Sequence, residues 1–573
     1  MEIKRAILYV IIALLAIAIF DSWTRDYPVT FKKNLRSEVA VELKNKKTSI
    51  DYIPSAFSSS TKKLIKNNVC NISKRKTYKE SKKDDLVTIK TDVLKLVIDS
   101  QRGDIVSAKL IKYLGSAREK QKQKAIQILS SDIRCLYVAQ SNLMDLKGKI
   151  PCHYTVKRNL YQLTNKQNRL VIRLTNRAFD GLYIIKTYTF YRNSYAAQIA
   201  YQIYNSSNKP WKGNIYTQIS RREPKITHHH FYVRNYSGAA ISSPQTLYEK
   251  VTYRMMDKKD YNCAIKGGWI AMQQRYFLSA WIPNDSGLAY RYYSHVIPLV
   301  GTDNIYVIGF VSPQMCIASN KIVNSHITFY VGPEVVSRLK TLAPGLDRTV
   351  DYGWLWPISD LLFRIMNAIH VIVKNWGWTI VLTTTFIKIA FYWFSAKSFR
   401  SMIRIHEIRP RLQALKERYG NDRKSLSQAT IELYRKEKIN PLGGYLPMLI
   451  QIPVFIAFYY VIMESIELRQ APFIFWIHDL SIKDPYYILP VLMGLSMILQ
   501  QRFSLVSPDP TPQKIIWIFP VVFTLFFINF PSGLVLYWLV NNCIQTLQQW
   551  FIYSTYLNQK NREKLKISCE RKK

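Results

Sequence analysis

Hydrophobic and polar positions follow two distinct patterns along this chain. Six runs are almost wholly apolar: Ala6–Phe20, Trp376–Phe394, Leu446–Met463, Tyr486–Phe503, Ile515–Phe530 and Leu534–Ile552. Each approaches the ~20 residues a helix needs to cross a bilayer. Between Val87 and Pro333 the period is two. Val93–Ile98, Leu170–Leu174, Leu182–Tyr191, Ala196–Tyr204, Ile305–Val311 and His326–Val331 are rich in β-branched and aromatic residues, and Asn, Gly and Pro clusters separate them. Such runs predict strands with one buried face, and no helix of comparable clarity interrupts them before Gly332, so a β-sandwich is expected. Asp21–Asp85, rich in Lys, Ser and Asn, has the composition of a flexible linker. Tyr352–Val373 is apolar on one side and carries Asp360, Arg364, Asn367 and His370, with Trp354 and Trp356 at its start. It predicts an amphipathic helix lying in a membrane interface.

The expected organisation is therefore an uncleaved signal-anchor helix (1–20), a linker (21–86), a β-sandwich domain (87–340) and a connector with the interfacial helix (341–375). Spans follow at 376–394, 446–463, 486–503, 515–530 and 534–552, six in all with the anchor. They are joined by a helical hairpin (395–445), loops at 464–485 and 504–514, and the Pro531-Ser532-Gly533 turn, and end in a basic tail (553–573).

Charge sets the orientation. The chain has 573 residues and a net charge of +43, yet the lysines are scattered and lie beside apolar spans, which argues against nucleic-acid binding and for anionic lipid. Lys397–Asn440 holds twelve Lys or Arg against five Asp or Glu, in two expected helices that break near Tyr419-Gly420-Asn421-Asp422. The positive-inside rule places this hairpin, both termini and 504–514 in the cytoplasm. It places 464–485 and the β-domain outside, the latter being long enough to escape the rule. Of seven cysteines, five (Cys70, Cys135, Cys152, Cys263, Cys316) fall in the external region, where a disulfide is open; Cys543 reads as a small hydrophobe and Cys569 lies in the tail. Neither these nor His228-His229-His230 has metal-ligand spacing, and no cofactor is expected.

Whereas Arg502 sits at the very end of its apolar span, Lys388 is a cation six residues inside the end of its own. At a bilayer centre it costs roughly 2.5–3.5 kcal/mol, so it either lines a wet cavity or snorkels to a surface. Counting from each span's cytoplasmic end at 1.5 Å per residue puts Lys388 roughly 9 Å deep, Gln451 roughly 7–8 Å and Gln545 roughly 10 Å, with Asn541 and Asn542 deeper. Thr384 lies one turn from Lys388, as Asn541 does from Gln545. Polar groups from three helices thus gather in the cytoplasmic half and the outer half stays apolar. A through-channel needs polar groups along its whole length; this pattern suggests a groove that opens inward. Helix-to-helix hydrogen bonding alone is the plainer reading of each residue taken singly.

Several long segments resemble the Oxa/Alb/YidC family of membrane protein insertases: VDYGWLWPIS from Val350, NWGWTIVL from Asn375, NPLGGYLPMLIQIPVFIAFYY from Asn440, ELRQAPFIFWIHDLSIKDPYYILPVLMG from Glu467 and FPSGLVLYWLVNN from Phe530. KGGWIAMQQRYFLSAWIP from Lys266 resembles the periplasmic domain of Gram-negative members. The resemblance implies a periplasmic β-supersandwich on a five-helix core. It implies an insertase and chaperone for nascent inner-membrane proteins, alone or with the Sec translocon, in the bacterial inner membrane. Lys388 stands where the family usually has Arg, Trp538 where many members have Tyr and Trp393 where Pro is usual; Thr384 and Gln451 match other groove positions. Phe455, Phe526 and Trp538 are the expected client-helix contacts, and Arg400, Arg404, Arg411 and Lys416 the expected ribosome or lipid contacts. The rival readings are a secondary transporter, which predicts internal repeats, and a membrane-anchored periplasmic scaffold. No catalytic constellation or nucleotide motif supports an enzyme, and no small-molecule substrate is expected.

Overall fold

The computed structural model describes residues 85–115, 125–148, 151, 153–223, 236–298, 304–420, 422–437, 446–503 and 510–570. The expected anchor helix (1–20), nearly all of the linker and the His228–His230 run lie outside these residues. The chain divides into two compact units between Asp351 and Tyr352.

The first unit is built from two antiparallel-rich sheets of eleven and eight strands. Strand Leu182–Tyr191 shows how alternation sets its register: Leu182, Ile184, Lys186, Tyr188 and Phe190 are buried, and the residues between them are not. It pairs with Arg169–Phe179 on one side and Ala196–Asn205 on the other. Side chains then tie the sheets together. The buried Trp281 stacks 4.5 Å from Phe329 and donates from its indole to the Gln218 carbonyl of the opposite sheet at 3.2 Å. Lys186 is fully buried. Its Nζ donates to the carbonyls of Gly103 at 2.8 Å and Ser141 at 2.6 Å, and lies 5.3 and 5.4 Å from the rings of Tyr188 and Tyr201. Burial holds the Lys186 amine below its ordinary range and the nearby Asp104 carboxyl above its own, because desolvation opposes both charges. The unit runs past the expected limit at residue 340. Trp269 donates to the Pro344 carbonyl at 3.0 Å, Gln273 to that of Thr349 at 3.0 Å, and Lys250 pairs with Asp351. Cys135, Cys263 and Cys316 are exposed and form no disulfide with one another.

The second unit is helical. Its elements are α1 (Trp356–Val373), α2 (Trp376–Ala390), α3 (Tyr392–Glu407), α4 (Arg409–Tyr419), α5 (Arg423–Lys436), α6 (Leu446–Glu464), α7 (Ile488–Phe503), α8 (Pro510–Phe527) and α9 (Ser532–Glu570). Lys374 in the left-handed region ends α1, and Asn375 caps α2 by accepting from the Trp378 N–H at 3.1 Å. Helix α9 packs on α2, α3, α6 and α7, so it is the element that most of the unit shares.

Three expectations are corrected here. The run Trp376–Phe394 is not one straight helix: α2 ends at Ala390 and α3 leaves it at 63°. At 15 residues, or about 22 Å, α2 is shorter than the ~30 Å hydrocarbon core. The expected hairpin holds three helices among the described residues, because α3 and α4 part at Ile408 and Pro410 sits in the first turn of α4, where its missing N–H is harmless. The fifth span and the tail are one helix of 39 residues. Among the described residues, Gly353–Val373 is long and apolar enough to cross a membrane by itself, although its polar stripe suggested an interfacial helix. The bent α2–α3 pair qualifies jointly, and Ile450–Glu464, Ile488–Gln501 and Ile518–Phe527 are shorter apolar helices.

Two outcomes follow. Trp281→Ala should cost about 3–5 kcal/mol in the β-rich unit, read by urea denaturation. Glu467 lies on the turn Ile466–Leu468 after α6, and burial pushes its carboxyl up to about 7. The folded chain then binds the extra proton between about 4.5 and 7, so this group's cost to stability grows as pH rises through that window and is complete above 7. Glu467→Gln should therefore raise the melting temperature at pH 8 and leave it unchanged at pH 4.

Candidate functional site

Helix α9 carries a ladder of amides at Asn541, Asn542, Gln545, Gln548 and Gln549. At 1.5 Å per residue it extends about 12 Å along the axis. These residues dilute the apolarity of the helix. They also supply the partners that the other helices need.

Lys388, 7% exposed, sits in the last turn of α2. Its Nζ donates to Gln545 Oε1 at 3.0 Å. An ammonium can only donate, so the amide oxygen must face it. Gln548 Nε2 donates to the Lys388 carbonyl at 3.1 Å. The bend moves Lys388 from the interior of an expected span to a helix C-terminus, where the backbone dipole favours a cation. Among the described residues no carboxylate forms an ion pair with it, and one neutral amide satisfies only one of its three N–H donors. An ammonium so placed keeps its charge only in contact with water.

The other polar residues form separate contacts along α9. Gln451 Nε2 on α6 donates to the Tyr537 hydroxyl at 2.6 Å. Asn542 Nδ2 donates to Ser496 Oγ on α7 at 3.1 Å. Asn541 is buried and its Oδ1 has no partner among the described residues; the same holds for Gln549 Oε1 and Thr383 Oγ1. Thr384 is buried too, but its hydroxyl donates to the Ile380 carbonyl of its own helix at 2.7 Å. It shares a face with Lys388 without being joined to it. Tyr537, Ser496 and Gln548 escaped the sequence reading. The signal for Tyr537 and Gln548 was their spacing, four residues before Asn541 and three after Gln545, which puts each on one face with those amides.

The aromatic candidates do meet. Phe455 of α6 packs edge-on against Trp538 of α9 at 4.8 Å, and Trp538 lies 5.3 Å from Phe523 and 5.7 Å from Phe527 of α8. Phe526 joins through Phe527 at 5.6 Å and Phe530 at 5.0 Å. Of the basic candidates, Arg400, Arg404 and Lys416 are exposed. Arg411 is exposed as well, and its guanidinium pairs with Glu437 at 2.5 Å, linking α4 to the end of α5.

Known proteins share this chain along its length. The family described as 60Kd inner membrane protein matches residues 368–560, and the YidC periplasmic domain matches residues 86–365. A membrane protein insertase YidC of Coxiella burnetii is 58% identical, covering 100% of both chains. One of Legionella pneumophila is 43% identical over 99% of each, and one of Pseudomonas aeruginosa is 37% identical over 96% of this chain and 98% of its own. The chain belongs to the YidC family of membrane protein insertases. The YidC periplasmic domain corresponds to the β-rich unit and the inner-membrane match to the helical one. YidC proteins are insertases rather than enzymes, which agrees with the lack of any catalytic expectation.

Within this YidC-type core, Tyr537→Phe removes the acceptor of the Gln451 amide and should cost about 1–3 kcal/mol. Unfolding of the detergent-solubilised protein in a denaturant titration reads it. A Tyr537→Phe, Gln451→Leu double variant should recover part of the loss, since the two losses are coupled.

Proposed function

We propose that this chain inserts nascent membrane proteins into the bacterial inner membrane, and assists their folding, through a hydrophilic groove between α2, α6, α7 and α9 that opens to the cytoplasm and to lipid. The observation that carries this reading is the buried ammonium of Lys388, held by the neutral amide of Gln545 and by no carboxylate among the described residues. A client's polar segment enters from the cytoplasm. Asn541, Asn542, Gln545, Gln451 and Thr384 lower its desolvation cost, and Lys388 favours acidic side chains. The client's apolar helix moves past Phe455, Phe526 and Trp538 into lipid. Transfer of ~20 apolar residues out of water supplies the driving force, without nucleotide hydrolysis.

The topology belongs to the same proposal. The anchor helix at 1–20 and five core spans make six crossings, with both termini and α3–α5 in the cytoplasm and the β-rich unit in the periplasm as a contact or spacing module. Helix α2 crosses together with the start of α3, and α1 lies along the outer interface or dips into it. The Sec translocon is the partner for clients too complex to insert alone. Arg400, Arg404 and Lys416 on the exposed hairpin meet anionic lipid or ribosomal RNA, whose phosphates their charge complements. Arg411, exposed beside its ion pair with Glu437, belongs to the same basic face.

Reconstitution tests this reading. In liposomes that hold the full chain, insertion of a single-span client with an acidic external segment should fall about tenfold for Lys388→Ala, the size of one lost charge-assisted contact. Lys388→Arg should retain insertion, and Thr384→Ala with Gln451→Ala should lie between. Wild-type insertion in every variant would remove the groove from the account.

A further inference from the structure

The bend after α2 has a local cause. Sharp kinks usually follow proline, glycine pairs or a side chain inserted into the helical ladder. Residues 388–395 read Lys-Ile-Ala-Phe-Tyr-Trp-Phe-Ser and contain neither Pro nor Gly. Were the helix to continue, Tyr392 N–H would bond the Lys388 carbonyl. That carbonyl is taken instead by Gln548 Nε2 at 3.1 Å, and the chain turns by 63°. One turn away on α9, Gln545 Oε1 accepts from the ammonium of the same lysine at 3.0 Å. Lys388 is thus gripped twice by α9, at its backbone and at its side chain.

The two grips differ in kind. Gln548 holds a backbone group that a client cannot replace. Gln545 holds a cation through a neutral oxygen, and a carboxylate adds the attraction of a full opposite charge to its hydrogen bond with the same ammonium. An acidic side chain that reaches Lys388 competes with Gln545 for the ammonium and leaves the end of α2 in place.

Resting on the groove reading above, we propose that Gln545 is a neutral holding partner that parks Lys388 until a client carboxylate takes its place, while Gln548 is a positioning residue that fixes the end of α2. The neutrality of Gln545 then sets the preference for acidic clients. A glutamate at 545 would neutralise Lys388 from within. An apolar residue of the same size would leave the ammonium with no internal partner and make it more receptive to acid.

The test uses the full chain in liposomes and two single-span clients that differ only in acidic against amide residues in the external segment. The readout is the ratio of inserted acidic to inserted neutral client. The wild type should favour the acidic client. Gln545→Glu should bring the ratio down to about one, and Gln545→Met should hold it at or above the wild-type value. Effects in these different directions from one position are not those of a folding defect. An unchanged ratio in Gln545→Glu, or a fall in both variants, overturns the proposal. A wild-type ratio of one, or no insertion above empty liposomes, fails the groove reading instead and is read before either variant.

Discussion

An ammonium inside an apolar helical unit must be given acceptors, and much of the helical half of this chain is arranged around that need. Lys388 cannot be matched by a hydrocarbon neighbour, and a buried carboxylate would cancel the charge. The solution here is an amide ladder on α9, which the packing of α9 on α2, α6 and α7 brings within reach of three other helices. The ladder works because the amide is both donor and acceptor. Gln545 offers oxygen to Lys388, Gln548 offers N–H to its carbonyl, and Asn542 offers N–H to Ser496. The same choice leaves Asn541 Oδ1 and Gln549 Oε1 buried without a partner among the described residues. Such atoms each cost on the order of 1–3 kcal/mol unless water or another polar group reaches them.

The β-rich unit solves a similar problem differently. Lys186 is buried between sheets, but its partners are two backbone carbonyls and two aromatic faces, with Asp104 close enough to act on it electrostatically. It is enclosed by the fold, so its role is to pin the two sheets. Lys388, with one neutral partner at a helix end, is left with valence to spare. The contrast between the two lysines lies in what surrounds them, and it separates a structural cation from one that can meet a ligand.

Much of this was legible in the sequence where the signal is local. Strand Leu182–Tyr191 has the bounds that alternation gave it, and the break at Gly420 falls where the hairpin was expected to turn. Lys388 stood out because its neighbours are apolar. What could not be read is the long-range pairing: Gln545 lies 157 positions from Lys388, and Gly103 lies 83 from Lys186. The bend after Ala390 was hidden for the same reason: no proline or glycine marks it in residues 388–395, and the Lys388 carbonyl at its edge is held by Gln548 of another helix. Thr384 was expected in the groove from its facing and from the family resemblance. In an apolar helix a threonine hydroxyl readily bonds the carbonyl four residues back, and it does so here. Pro410, by contrast, was a readable signal for the start of α4 that was passed over.

The central claim is that water reaches the α9 ladder from the cytoplasm and from nowhere else. Asn541 is the first rung of the ladder along α9, and its oxygen has no partner among the described residues. Place Asn541→Cys in a chain whose seven native cysteines are serine, and expose it to a charged, membrane-impermeant thiol reagent in inside-out and right-side-out inner-membrane vesicles. The account predicts labelling in inside-out vesicles only; labelling from the periplasmic face, or from neither face, would contradict it.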